Sequence, residues 1–265
     1  MLGRGCSHDG RVRAPLQIAV AQPPCLAGAL AANVQAHALT VLAARARLVV
    51  FPELSLTGYD LEAPAVDVDD PALAAVVTAC DTMNTVALVG APTSVGTVGA
   101  PTTDRTVDGV GRAIAILLVD AHGARVVYRK QHLGAEETEH FTPGPGPVVL
   151  DVDGWRVGLG VCRDTGVGDH VEALADSGID LYVAGLVDHP DDVPVQRARA
   201  ARIATTCRAY VGFASFAGPT AGGYGETAGR SAIFGRDGAV IAETTALPGG
   251  IARARLTYSD TRFTT

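Results

Sequence analysis

The sequence predicts an α/β domain built on mixed sheets. Helix-compatible segments alternate with short β-rich runs along the whole chain. Several neighbouring runs are separated by short turns containing glycine, the mark of antiparallel hairpins. No composition break or linker interrupts the order. Hairpins cannot join parallel strands, so a purely parallel sheet does not fit.

The elements follow in order. Residues 16–21 are a short β-rich run, and 27–46 are Ala-rich and suit a helix. Residues 47–51 form a buried strand by composition, stopped by Pro52. Residues 71–83 are helical with Pro71 near the N-terminus. A strand is expected over 86–90, then an exposed loop over 93–111, rich in Gly, Thr and Pro. Residues 113–120 and 124–128 make a hairpin through Ala121-His122-Gly123, and 143–147 form a rigid Pro-Gly connector. Residues 148–152 and 155–161 repeat the hairpin around Asp153-Gly154. A helix over 169–177 ends at Gly178, which suits a C-terminal cap. Then come a strand over 179–184, a basic amphipathic helix over 195–208, a strand over 209–216, and a hairpin of 231–234 with 239–242 around Asp237-Gly238.

Composition narrows the function. With 265 residues and 48% hydrophobic content, the chain can bury a large core. We expect a leader over 1–14, disordered and without the apolar core of a secretory signal, followed by one domain over 15–265. The net charge of −7 argues against nucleic acid or an anionic membrane as partner. The longest apolar run, 113–119, is too short to span a bilayer. Five scattered cysteines without CxxC spacing point to a reducing, cytoplasmic setting, and no histidine stands in a metal-ligand pattern.

Three polar residues follow strand-like runs: Glu53 after 48–51, Lys130 after 125–128 and Cys162 after 155–161. Functional groups gather at strand ends because the sheet fixes them while loops admit a ligand. A thiol is mostly protonated at neutral pH and needs a base or a neighbouring cation. A carboxylate can take its proton. Attack on an amide or nitrile carbon then builds negative charge, which an ammonium and a backbone N–H can stabilise. The set covers nucleophile, base and electrostatic stabiliser without metal or organic cofactor. Taken singly, each residue has an ordinary explanation: a packed core thiol, a paired surface carboxylate, a solvated lysine. Tyr59, after Gly58, is read equally as a pocket-lining or a core aromatic. His132 is expected in a structural hydrogen bond. Gly222-Gly223-Tyr224-Gly225 lacks the Lys and Ser/Thr of a phosphate loop and is expected near the pocket mouth.

The surrounding strings change the reading. Phe51-Pro52-Glu53-Leu54-Ser55-Leu56-Thr57-Gly58-Tyr59, Tyr128-Arg129-Lys130-Gln131-His132-Leu133 and Gly158-Leu159-Gly160-Val161-Cys162-Arg163-Asp164 occur in that order. Together they resemble the nitrilase superfamily of carbon–nitrogen hydrolases, in its amidase-like branch, over about residues 16–256. The resemblance implies an α-β-β-α sandwich of two mixed sheets with outer helices. It implies Glu53 as general base, Lys130 as stabiliser of the tetrahedral intermediate, Cys162 as nucleophile and the Arg163 N–H as second oxyanion donor. The family's second glutamate precedes an aromatic-x-Pro-Gly string by four residues. Phe141-Thr142-Pro143-Gly144 matches that string, which selects Glu137, with Glu136 and Glu139 as neighbours that could fill the place. Gly229-Arg230-Ser231 resembles a later structural strand, and Arg197-Ala198-Arg199-Ala200 resembles a helix that packs at an interface or the core. After its cysteine the family usually has an aromatic-Asp pair; here Arg163-Asp164 keeps only the Asp. The implied activity is hydrolysis of a small amide in a homodimer or larger homo-oligomer. A nitrile substrate, a glutaminase feeding ammonia to a partner, and an idle binding protein that retains the three residues are the alternatives.

Overall fold

The computed structural model describes residues 13–95 and 111–258. The expected leader up to residue 12 and most of the expected loop, 96–110, lie outside the described residues. Arg13 and Ala14 are docked: Arg13 pairs with Asp180, and the Ala14 carbonyl accepts from Trp155 Nε1 at 2.9 Å.

Two six-stranded sheets face each other. The first runs β12 (Gly250–Leu256), β1 (Leu16–Gln22), β2 (Leu48–Val50), β3 (Val86–Ser94), β4 (Arg112–Asp120), β5 (Gly123–Arg129). The second runs β11 (Val240–Glu243), β10 (Ala232–Phe234), β9 (Tyr210–Ser215), β8 (Leu181–Leu186), β7 (Trp155–Val161), β6 (Val149–Val152). In each sheet the middle three strands are parallel and the flanking strands antiparallel, so the mixed character expected from the hairpins holds in both.

Strand alternation builds the layers. Ile18, Val20, Leu48, Val50 and Leu88 point inward and meet Val157, Leu159, Leu181 and Val183 of the other sheet. Ala19, Ala21, Val49, Ala87 and Val89 point outward, under α1 (Leu30–Ala44) and α2 (Ala74–Met83). Tyr182, Ala184, Val211 and Phe213 do the same under α3 (Gly168–Asp176) and α4 (Val193–Cys207). The result is an α-β-β-α sandwich. Small residues on the outer faces of β1 and β3 let the Ala-rich helices lie close, which is how a chain with 5% aromatics fills its interior.

Two differences from the sequence reading have physical causes. The loop expected from Thr93 starts later, because β3 continues to Ser94 by pairing with Arg112 of β4. Strand β12 was not expected: Gly250-Ile-Ala-Arg-Ala-Arg-Leu256 has little β-propensity, yet it pairs with β1 residue for residue from Leu16↔Leu256 to Gln22↔Gly250. Among the described residues, no helix is long and apolar enough to cross a membrane.

Candidate active site

Glu53 stands in a tight loop beyond β2. The Phe51 N–H still reaches Leu88 O at 2.9 Å, as though the strand continued. Pro52 has no N–H to give, and the chain turns through Leu54, whose φ is +50°. Two glycines make room for that loop between the sheets. A Cβ at Gly90 would lie 2.3 Å from Pro52 O, and one at Gly185 would lie 2.6 Å from Glu53 N. Neither strand could carry another residue there without displacing the loop.

Lys130 is the first residue past β5, anchored by its N–H to Ile114 O at 2.8 Å. Its Nζ donates to Glu53 Oε1 at 2.7 Å and to Glu137 Oε1 at 2.6 Å. All three side chains are buried. Glu137 lies in a 3-10 turn, Glu137–Glu139, and its neighbours Glu136 and Glu139 face solvent. Of the three glutamates the sequence left open, Glu137 is therefore the one that meets Lys130. It is held further by the Tyr59 hydroxyl on Oε1 and the Gly134 N–H on Oε2, each at 2.6 Å. Tyr59 is thus both a core aromatic and a wall of the site.

Cys162 ends β7 and opens a 3-10 turn, Cys162–Gly166. Its φ is +40°, a strained conformation for a non-glycine residue. It is half-buried, and its thiol donates to Val187 O at 3.6 Å. The Arg163 side chain is exposed, so only its backbone N–H can serve the site. Asp164 locks the turn. One carboxylate oxygen accepts from the Tyr128 hydroxyl at 2.8 Å and Val161 N–H at 3.0 Å. The other accepts from His132 N–H at 3.0 Å and His132 Nδ1 at 2.8 Å. The structural bond expected for His132 is this one. It ties the Cys162 turn directly to the residues flanking Lys130.

The charges are strongly coupled. Burial pushes the Glu53 carboxyl up to about 8, with the Glu137 carboxylate adding to the rise and Lys130 opposing it. Burial also raises the Cys162 thiol well above its ordinary value, and the carboxylates of Glu53 and Asp188 raise it further. Burial works against the Lys130 ammonium, but Glu53, Cys162 and Glu137 outweigh it and hold the proton on. Glu137 is lowered: its burial is outweighed by Lys130, Tyr59 and the Gly134 N–H. The resting arrangement is a neutral thiol beside a fixed cation and a carboxyl that titrates near neutrality. Glu53 Oε2 is buried and has no hydrogen-bond partner. Such an atom can receive a proton.

A second group has the donor types of a metal site: atoms of His132, Asp164 and His170 lie within 4.8 Å of one another. The Asp164 oxygens already take four donors, and His170 Nδ1 bonds Gln131 Oε1 at 2.8 Å, so these groups read as a hydrogen-bonded support. The sequence reading singled out neither Asp188, just past Val187, nor the two strand glycines. Tyr224 was expected near the mouth; it packs edge-on against Tyr59 with ring centres 5.2 Å apart.

Two facing mixed sheets with helices outside thus frame a buried Glu53–Lys130 pair, with Cys162 just past the end of a strand. The family model for carbon–nitrogen hydrolases matches residues 17–265, and the chain belongs to that family of hydrolases. A curated protein of Pseudomonas protegens described as "Hydrolase in pqqF 5'region" is 29% identical over 77% of this chain and 70% of its own length. The fold is similar to that of Saccharomyces cerevisiae Nit3, with a TM-score of 0.78 and 19% identity over 93% of this chain and 91% of that one. It is similar also to the amidase of Nesterenkonia sp. AN1, with a TM-score of 0.74 and 24% identity over 94% of each chain. A structure of that amidase carries the acetamide moiety of fluoroacetamide on its active-site cysteine.

Proposed function

We propose that this protein hydrolyses the C–N bond of a small non-peptide amide through a thioester on Cys162. Glu53 Oε2 takes the thiol proton as Sγ bonds to the carbonyl carbon. Lys130 Nζ and the Arg163 N–H hold the oxygen as it becomes negative. Glu53 returns the proton to the leaving nitrogen, the C–N bond breaks, and ammonia or an amine departs. Water then enters, gives its proton to Glu53 and attacks the thioester carbon. The acid leaves, and the thiol regains its proton. Glu137 and Tyr59 keep Lys130 aimed at the oxygen. Carboxylate, ammonium and thiol thus fill the roles of base, charge stabiliser and nucleophile.

The observation that carries this reading is the vacant Glu53 Oε2, on a carboxylate whose other oxygen is held 2.7 Å from Lys130. A buried acceptor left unpaired is costly, by about 1–3 kcal/mol, and acquires a reason if it handles a proton. The acetamide adduct of the Nesterenkonia amidase supports an amide rather than a nitrile as the first substrate to try.

The test is ammonia release from a panel of short aliphatic amides, the matching nitriles and glutamine. Amide turnover that is lost in Cys162→Ala, with the far-ultraviolet circular dichroism unchanged, is the expected result. Turnover restricted to nitriles, or to glutamine, moves the assignment to those substrates. A folded wild type that hydrolyses none of them overturns it in favour of a binding protein.

A further inference from the structure

A chain of contacts runs from Cys162 to Glu53. The thiol touches Val187 O. The next residues are Asp188 and His189. The His189 ring stacks on Tyr224 with centres 4.5 Å apart, and Tyr224 meets Tyr59 edge-on. Tyr59 bonds Glu137, which bonds Lys130, which bonds Glu53. Asp188, along this chain of contacts, makes no ion pair among the described residues. Its Oδ2 accepts from the neutral amide of Gln196 at 2.7 Å, and no cation stands within 4.0 Å of its carboxylate among the described residues. Gln196 is itself buried and also reaches Ser215 Oγ at 3.3 Å, so it fixes the direction of Asp188. Arg199 of α4 attracts the carboxylate from beyond ion-pair distance, and Asp192 repels it.

Asp188 lies between Val187, whose carbonyl touches the Cys162 thiol, and His189, whose ring stacks on Tyr224, and its carboxylate acts electrostatically on Cys162 and Tyr224. It is half-buried, and burial raises its pKa. The Lys130 charge is already taken up by Glu53 and Glu137. A substrate held at Cys162 therefore has one oriented carboxylate near it, next to the His189–Tyr224 stack. Low-dielectric walls strengthen its attraction for a cation and its repulsion of an anion.

We propose that Asp188 selects a short amide bearing a second, protonated amino group, whose ammonium it binds while Cys162 takes the carbonyl. This rests on Cys162 being the nucleophile of an amide hydrolase.

The experiment compares three amides of nearly equal shape: β-alaninamide, cationic; butyramide, neutral; and succinamate, anionic. Wild type is expected to hydrolyse them in that order of kcat/KM, with about 10-fold or more between the first two, the scale of one charge-assisted hydrogen bond. Asp188→Asn keeps the acceptor for Gln196. It is expected to lower kcat/KM for β-alaninamide by about 10-fold or more beyond any change on butyramide. Binding of β-alaninamide to Cys162→Ala, followed by calorimetry, is expected to be lost when Asp188→Asn is added. Equal hydrolysis of β-alaninamide and butyramide, or equal loss on both in Asp188→Asn, overturns the role of Asp188 and leaves amide hydrolysis standing. No hydrolysis of any of the three, with Asp188-dependent binding intact, overturns the hydrolytic reading for these substrates and leaves the cation site standing.

Discussion

Two buried carboxylate centres lie side by side in this molecule, and they are completed differently. Asp164 is saturated: four donors, three of them neutral groups and the fourth a histidine ring nitrogen, occupy both of its oxygens. Glu53 is left incomplete: one oxygen bonds Lys130, and the other is buried without a hydrogen-bond partner. Under the proposed mechanism the same chemical group is a scaffold in one case and a proton acceptor in the other, because of how many lone pairs the fold fills. The saturated centre also holds the Cys162 turn against the Lys130 segment.

Removing the incomplete carboxylate should have the largest effect on rate. In Glu53→Gln, kcat is expected to fall by about 10²–10⁴-fold, the usual contribution of a general base. Stability should move the other way. A carboxyl raised to about 8 from its ordinary value near 4.5 keeps its proton when folded after the unfolded chain has lost its own. The stability from that group is full below about 4.5 and is lost as pH rises through about 8. Thermal melts should therefore show Glu53→Gln gaining on wild type as pH rises through that window. A melt difference that is flat with pH contradicts the raised carboxyl.

Lys130→Met strips the cation from two buried carboxylates and should cost about 3–5 kcal/mol in denaturant unfolding, with activity lost. Asp164→Asn puts an amide N–H where an acceptor is needed and should cost about 1–3 kcal/mol. It should lower kcat as the Cys162 turn loosens, while the pH profile moves down only slightly, because the Asp164 charge adds less to the Glu53 rise than burial and Glu137 do. Tyr128→Phe removes one of the four donors and should cost about 1 kcal/mol, with little change in rate. If Asp164→Asn shifts the pH profile as much as it lowers the rate, the two centres are one network and the contrast fails. The wild-type profile itself is expected to show kcat/KM rising with pH towards about 8, as Glu53 loses its proton, well above the range of an ordinary glutamate. Initial rates from pH 5 to 9 would check it.

The sequence made Glu53, Lys130 and Cys162 legible because each lies in a distinctive local string at the end of a strand. The parallel strands were legible from their apolar runs. Glu137 could be reached only to within its neighbours, since a 3-10 turn, rather than composition, decides which of three glutamates faces inward. Asp164 could be seen as retained, but its donors Tyr128 and His132 come from another strand end, more than thirty positions away. Tyr224 was legible only as part of a glycine-rich loop near the mouth, and Asp188 gave no local signal at all. Their significance arises from loops that converge only after both sheets have formed. Strand β12 was hidden for a similar reason: its Ala and Arg residues become a strand by tertiary pairing, against their intrinsic preference.

That last strand has a consequence for the order in which the molecule is made. The first sheet needs residues 250–256 alongside residues 16–22, so during synthesis one of its earliest strands waits with an open edge until residues 250–256 have left the ribosome. The second sheet, built from strands between 149 and 243, can assemble earlier. A nascent chain stalled before residue 250 would present bare strand backbone to its neighbours, which makes late elongation the interval when this protein most needs a chaperone.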